Sequence, residues 1–287
     1  MEEKNKIQKG VLYLVGTPIG NLADISERAK KTLTEVDFIA AEDTRNSQKL
    51  LFALGIKNEL VSYHEHNKRE SGERILRRLL NNESCALITD AGMPAISDPG
   101  EDLCRLCAEN GVCVSVVPGP SAVVSALALS ALSTRRFAFE GFLPPKETER
   151  KRVLSDLKKE ERTLVFYEAP HRLLKTLCDM RDAFGNTRKI SLCREITKLN
   201  ESVLRLSLSE ACEYYEKNEP RGEFVLVISG YEEEEIENGK SPLEEIDEYI
   251  EMGENKMDAI KRVARERKIP KSELYKAYTE RKENEND

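Results

Sequence analysis

The chain has no apolar stretch long enough to cross a bilayer. Its longest weakly polar run, Ala122 to Leu132, is short and is interrupted by Ser125 and Ser130. The charged start Met1-Glu2-Glu3-Lys4-Asn5-Lys6 has no apolar segment behind it, so a signal peptide is not expected there and a cytoplasmic location is the default expectation. Histidine is scarce, and the one close pair, His64-Glu65-His66, has no further ligands at metal spacing; no structural metal is expected. Seven cysteines is an odd number. They fall in apolar runs (Cys85, Cys113, Cys193) or helical patterns (Cys104, Cys107, Cys178, Cys212), which suits reduced core thiols better than a disulfide framework. Cys104-x-x-Cys107 sits well inside a helical pattern, whereas redox pairs lie at helix N-termini. Also missing are G-x-G-x-x-G after the first strand, the phosphate-binding G-x-x-x-x-G-K-[ST] and a Ser-centred nucleophile elbow. Neither a nicotinamide cofactor nor a nucleoside triphosphate is therefore favoured.

What is present is a charged, globular chain. With 287 residues, 39% hydrophobic and 34% charged, it can bury one or two cores and carry an appendage. A net charge of -7 argues against a protein that coats nucleic acid non-specifically. The charge is uneven, however: Glu232-Glu233-Glu234-Glu235 reads as an acidic linker, whereas Lys256, Lys261, Arg262, Arg265, Arg267, Lys268, Lys271 and Lys276 crowd the last segment.

The pattern through residue 117 is β-turn-α. Strands are expected at Val11 to Val15, Asp37 to Ala41, Glu59 to Tyr63, Cys85 to Ile88 and Val112 to Val117, with helices between them that stop at Gly55 and Gly111. That alternation predicts a mainly parallel sheet covered on both faces. Pro118-Gly119-Pro120 resets the chain direction, which places a junction between an N-terminal lobe, 1–117, and a second α/β lobe, 118–232. The second set has strands at Phe137 to Phe142, Thr163 to Tyr167, Lys189 to Cys193, Ser202 to Leu206 and Glu223 to Ile228. Ser241-Pro242-Leu243-Glu244 is a capping box with proline at the first helical position, opening a helical appendage, 241–287. The appendage resembles a helix-turn-helix with a basic face; alternatively, that face is merely solvated and the helices pack on the second lobe.

Polar and glycine-rich turns follow strand after strand: Gly16 to Asn21, Glu42 to Arg45, Thr89 to Gly100, Pro118 to Ala122, Glu168 to Arg172 and Arg194 to Lys198. Turn-making alone asks for Gly and Pro there. It does not ask for Glu42, Asp43, Arg45, Glu168, His171, Arg172, Arg194, Glu195 and Lys198. If both sheets are parallel, these segments share one edge and line a common cleft. Turns that free backbone N–H and C=O groups suit a flat, neutral-to-cationic ligand.

Six ordered motifs carry a resemblance over roughly residues 10 to 230: Gly16-Thr17-Pro18-Ile19-Gly20-Asn21-Leu22, Ala41-Glu42-Asp43-Thr44-Arg45, Thr89 to Gly100, Val117 to Ala122, Phe166 to Arg172, and Arg194-Glu195-Ile196-Thr197-Lys198. Together they are similar to the ribosomal small subunit methyltransferase I family of the tetrapyrrole-methylase superfamily. The resemblance implies two α/β lobes with an interlobe cleft, S-adenosylmethionine as methyl donor, a homodimer, and 2'-O-methylation of a cytidine in the decoding region of small-subunit (16S) rRNA. It implies a donor site at Thr17, Pro18, Asp90, Ala91, Gly92, Met93, Pro94, Ile96, Ser121 and Ala122, closed from the second lobe by Tyr167, Glu168 and Glu223.

For the chemistry, Glu195 or Glu168 is placed to accept the hydroxyl proton, Lys198 or Arg194 to stabilise the developing oxyanion, and Asp43 with Arg45 forms a second candidate pair. Arg194, Glu195 and Lys198 are equally readable as an ion-pair network between the lobes. RNA phosphates would be met by Arg45, Arg135, Arg136, Lys146, Arg172, Lys261 and Arg265, with the target nucleotide turned out of its stack. Two other readings stand beside this one: a tetrapyrrole (porphyrinogen or precorrin) C-methyltransferase with the same donor, and a non-enzymatic ribosome-binding module.

Overall fold

In the computed structural model the described residues are 6–232, 240–267 and 269–284, with side chains described to 281. Residues Glu233 to Glu235 of the acidic stretch, and Lys268 of the basic one, lie outside them. Met1–Tyr231 and Glu232–Asp287 are separate compact units.

The first unit holds two five-stranded sheets. β1 (Val11–Val15), β2 (Phe38–Ala41), β3 (Leu60–Ser62), β4 (Cys85–Ile88) and β5 (Cys113–Val117) are ordered β3-β2-β4-β1-β5, with every pairing parallel. The four residues of β2 and of β4 are all buried, because helices cover both faces of the sheet. One face packs Val11, Ile39 and Ile88 against α1 (Glu27–Glu35) and α2 (Thr44–Ala53). The other packs Leu12, Phe38 and Leu87 against α3 (Lys68–Leu80) and α4 (Gly100–Glu109). Strand existence and order along the chain match the sequence pattern, with ends shifted by a residue or so. Cys113 departs from the expected core thiols: it is exposed, because β5 is an edge strand.

The second sheet corrects the expectation of parallel pairing. β6 (Phe137–Phe142), β7 (Thr163–Glu168), β8 (Lys189–Arg194), β9 (Ser202–Ser207) and β10 (Phe224–Ile228) are ordered β6-β7-β10-β8-β9, and only β6 and β7 are parallel. The last strand inserts between β7 and β8, antiparallel to both. This reversal matters for the site: Phe224, at the start of β10, stands in register with Glu168 and Arg194 at the ends of its neighbours. Glu223 thereby joins the edge where β7 and β8 finish. One face of this sheet is covered by α6 (Glu147–Asp156), α7 (Leu173–Phe184) and α8 (Leu208–Lys217), with Leu164, Phe166 and Leu226 in the core. The other takes α5 (Ala122–Leu129), whose Val123, Ala126 and Leu127 pack on Val165, Val225 and Val227 together with Ile19 from the β1 turn.

The second unit is a bundle of α9 (Pro242–Glu251), α10 (Lys256–Glu266) and α11 (Lys271–Asn284) around Ile246, Ile260, Val263, Leu274 and Tyr278. The Ser241 and Glu244 capping box is formed, each side chain bonded to the other's backbone N–H at 3.2 and 2.6 Å. Among the described residues no helix is long and apolar enough to cross a membrane.

Candidate active site

Three close approaches at glycines order the turns, the first between two strand exits of the first sheet and the other two between the sheets. Gly16 abuts Gly119 so tightly that a Cβ on Gly16 would lie 2.6 Å from the Gly119 Cα. Gly20 faces the 196–198 segment, where a Cβ would meet Lys198 Cγ at 2.5 Å. Gly141, in the left-handed region with φ +66°, leaves Ser97 Oγ only 3.1 Å from where its Cβ would be.

Between these contacts lies a cavity of about 510 Å³, within the size range of small-molecule sites. The turn after β4 supplies Asp90, Ala91, Gly92, Met93, Ile96, Ser97 and Asp98; Ser121 and Ala122 bring the start of α5 to it. From the second sheet come Phe142, Tyr167, Glu168, Cys193, Glu223 and Val225. Most of the expected donor residues therefore converge. Thr17, Pro18 and Pro94 do not line the cavity. Thr17 is fully buried and pins the β4 turn: its N–H donates to Gly92 O at 2.9 Å and its hydroxyl reaches Thr89 O and Gly92 O at 3.2 and 3.3 Å. Glu42, expected at the cleft, does line it; Ile19, Ser97, Asp98, Phe142 and Cys193 were not singled out, although the first three stand within the motifs.

The lining carries five carboxylates, Glu42, Asp90, Asp98, Glu168 and Glu223, and no lysine, arginine or histidine. Asp98 Oδ1 accepts from the N–H groups of Ala95 and Gly100 at 2.9 and 2.7 Å, whereas Oδ2 is buried without a partner, an acceptor still unsatisfied. Burial raises the Tyr167 phenol above its ordinary value and lifts the Cys193 thiol to about 11, so both stay neutral and act as shape.

The remaining expected catalytic groups stand beside the cavity and outside its lining. Lys198 Nζ is 2.9 Å from both Glu195 Oε1 and Glu223 Oε2, and Glu195 Oε1 also accepts the Glu223 N–H at 2.9 Å. The Lys198 hydrogen bond holds the Glu195 carboxyl below the usual range. Burial lowers the Lys198 value, but the bonds to Glu223 and Glu195 outweigh it and raise it. Glu195 and Thr197 are non-glycine residues at φ +51° and +67°, a strained turn that this ion-pair network holds in shape. Arg194 turns away, its Nε donating to Arg221 O at 2.6 Å. Glu168 is committed to the fold: one oxygen accepts from the Ala169 N–H at 2.8 Å, the other from Thr176 Oγ1 at 2.5 Å. Such a buried, doubly bonded carboxylate has little capacity left for a substrate proton.

The expected phosphate contacts scatter. Arg172 donates to Leu143 O at 2.7 Å and lies near Glu168, so it braces the turns. Arg45 is paired with Asp43, whose carboxyl it holds down to about 2; Lys146 pairs with Glu149 and Lys261 with Asp258. Arg135, Arg136 and Arg265 are exposed. Other bases of the second unit are paired as well: Arg262 with Glu254 and Glu266, and Arg267, just after α10, with Glu245 at 2.6 Å.

Comparison with known proteins agrees with this architecture. The profile of the Tetrapyrrole (Corrin/Porphyrin) Methylases matches residues 11–212. Ribosomal RNA small subunit methyltransferase I of Halalkalibacterium halodurans is 46% identical over 275 residues, covering 94% of this chain and 95% of its own. The Bacillus subtilis protein of that name is 42% identical, with 97% of each chain covered. That of Thermotoga maritima is 48% identical over 223 residues, which are 78% of this chain and all of the relative. Among solved structures, uroporphyrin-III C-methyltransferase from Thermus thermophilus in complex with S-adenosylhomocysteine superposes with a TM-score of 0.55 at 20% identity, covering 76% of this chain and 96% of that one, a likeness of fold. By sequence and by fold, the chain belongs to the ribosomal RNA small subunit methyltransferase I family of the tetrapyrrole methylases.

Proposed function

We propose that this chain uses S-adenosylmethionine to methylate the ribose 2'-oxygen of a cytidine in the decoding region of small-subunit ribosomal RNA, as a cytoplasmic homodimer. The observation that carries the reading is near-full-length identity of 42–46% to relatives named for ribosomal RNA methylation, combined with a cavity suited to the donor. Five carboxylates with no basic side chain favour a ligand bearing a sulfonium and an ammonium. The start of α5, at Ser121 and Ala122, offers backbone N–H groups to that ligand's carboxylate.

When bound, the donor supplies an electrophilic methyl carbon on a sulfonium, so the protein's tasks are in-line alignment and removal of one proton. Glu195 lies outside the lining, and its Oε1 is taken by the Lys198 ammonium and the Glu223 N–H, so it serves to hold Lys198. Glu223 is the lining carboxylate that is both largely open to solvent and bonded to Lys198; it takes the 2'-hydroxyl proton while the Lys198 ammonium steadies the charge developing on oxygen. An anionic macrocycle inside this cavity would face the same carboxylates, which disfavours a tetrapyrrole acceptor there.

The test is transfer of labelled methyl from S-adenosylmethionine to small ribosomal subunits lacking the modification, with naked rRNA alongside and the labelled nucleotide identified by digestion. Label on a cytidine 2'-oxygen is expected. Donor binding with no label on either substrate would move the acceptor elsewhere.

A further inference from the structure

Two large apolar side chains of the cavity lining are turned outward, one from each lobe. Phe142, the last residue of β6, is 58% exposed, and Ile96, in the turn after β4, is 53% exposed. Each is held there by an irregular backbone. In a regular strand Phe139 and Phe142, three residues apart, would point to opposite faces. A bulge between Phe139 and Gly141 shifts the register, so that both rings stand against Tyr167, at 5.0 and 5.4 Å between centroids. Ile96 stands between Ala95 and Ser97, non-glycine residues at φ +66° and +61°, a costly conformation for a surface turn. The chain neighbours Ser97 and Gly141 are in close approach, which brings Ile96 and Phe142 to the same rim. Nothing in the packing of either core calls for these two side chains, since neither belongs to a core cluster.

We infer that Phe142 and Ile96 form a clamp at the cavity mouth for the unstacked pyrimidine base of the substrate. The inference rests on the function proposed above and names the residues that receive the nucleotide. A 2'-oxygen inside a stacked RNA strand cannot reach a methyl group held within the cavity, so the nucleotide leaves its stack and loses contact on both base faces. An exposed aromatic ring buttressed by Tyr167 replaces one stacking partner, and the branched aliphatic side chain of Ile96 closes the other face.

Methyl transfer to modification-free small subunits and donor affinity by calorimetry are to be measured for the wild type, Phe142→Ala, Phe142→Trp and Ile96→Ala. Phe142→Ala is expected to lower kcat/KM for the subunit by about tenfold to a hundredfold, a larger factor than any change in its donor affinity, and Phe142→Trp to restore it. Ile96→Ala is expected to lower it less. A decoding-region RNA with pyrrolocytidine at the target position should stay quenched on binding the wild type, where one stacking partner replaces another, and should brighten on binding Phe142→Ala. Wild-type turnover by Phe142→Ala, or a fall in its donor affinity large enough to account for the whole loss of kcat/KM, would overturn the clamp while leaving the proposed function standing. A wild type that binds donor yet labels no subunit removes the proposed function, and the clamp with it.

Discussion

Gly119 donates its N–H to Met93 Sδ at 3.3 Å, in the same turn whose backbone lies against Gly16. The exits of β1 and β5 are thus locked to a residue of the cavity lining. A Cβ on Gly119 would stand 2.8 Å from the Gly16 Cα, with only backbone to yield. Gly119→Ala is expected to destabilise the protein by about 1–3 kcal/mol in denaturant unfolding and to weaken donor binding by displacing Met93.

Thr17→Val keeps the volume of a fully buried side chain and removes the hydroxyl that reaches Thr89 O and Gly92 O. Loss of this hydroxyl is expected to cost about 1–2 kcal/mol and to weaken donor binding, since the β4 turn keeps only its backbone bridge to Thr17. Calorimetry together with thermal unfolding reads both effects.

Glu168→Gln separates a structural role from a chemical one. Its amide would set an N–H group against the Ala169 N–H or deprive Thr176 of a full acceptor. The expectation is a stability loss of about 1–3 kcal/mol, with single-turnover methyl transfer nearly unchanged in the fraction that remains folded. A large fall in the chemical rate at full foldedness would return Glu168 to the chemistry.

The Lys198 network has a defined pH window. Glu195 has a lowered folded-state pKa, so its stabilisation is present above the ordinary glutamate value and is lost as pH falls through the lowered one. Lys198 has a raised value, so its contribution is complete below the ordinary lysine value and is lost as pH rises through the raised one. Lys198→Met is expected to cost about 1 kcal/mol or less at neutral pH. That difference from the wild type should shrink below about pH 4 and above about pH 10, while methyl transfer by the variant falls across the neutral range. A stability difference flat with pH would remove the ion pairs as its source.

A chain ended after Tyr231 retains the whole first compact unit, and one relative is matched over its entire length by 223 residues, 78% of this chain. It is expected to fold and bind donor normally. Its affinity for the small subunit should fall, with a salt dependence shallower by about one unit of slope for each phosphate contact removed. Unchanged affinity and slope would reduce the appendage to a passenger.

The periodicity of apolar residues was enough to mark nearly every strand and helix, because a covered parallel sheet demands continuous apolar runs such as Phe38–Ala41 and Cys85–Ile88. Local motifs likewise marked the turn after β4 and the Ser241 cap, since left-handed turns and helix starts are decided within a few residues. Partnerships between distant segments were beyond that reach. The sign of strand pairing in the second sheet, and with it the arrival of Glu223 at the cavity, depends on where β10 inserts. No local feature announces that the Glu168 carboxylate turns inward to Thr176, or that Arg150 is buried against Asp179 while Phe142 stands exposed. A sequence determines which residues are apolar, cationic or acidic and how they repeat along a helix or strand. Which charge meets which carboxylate, and which ring is left facing solvent, is decided only when the two sheets close on each other.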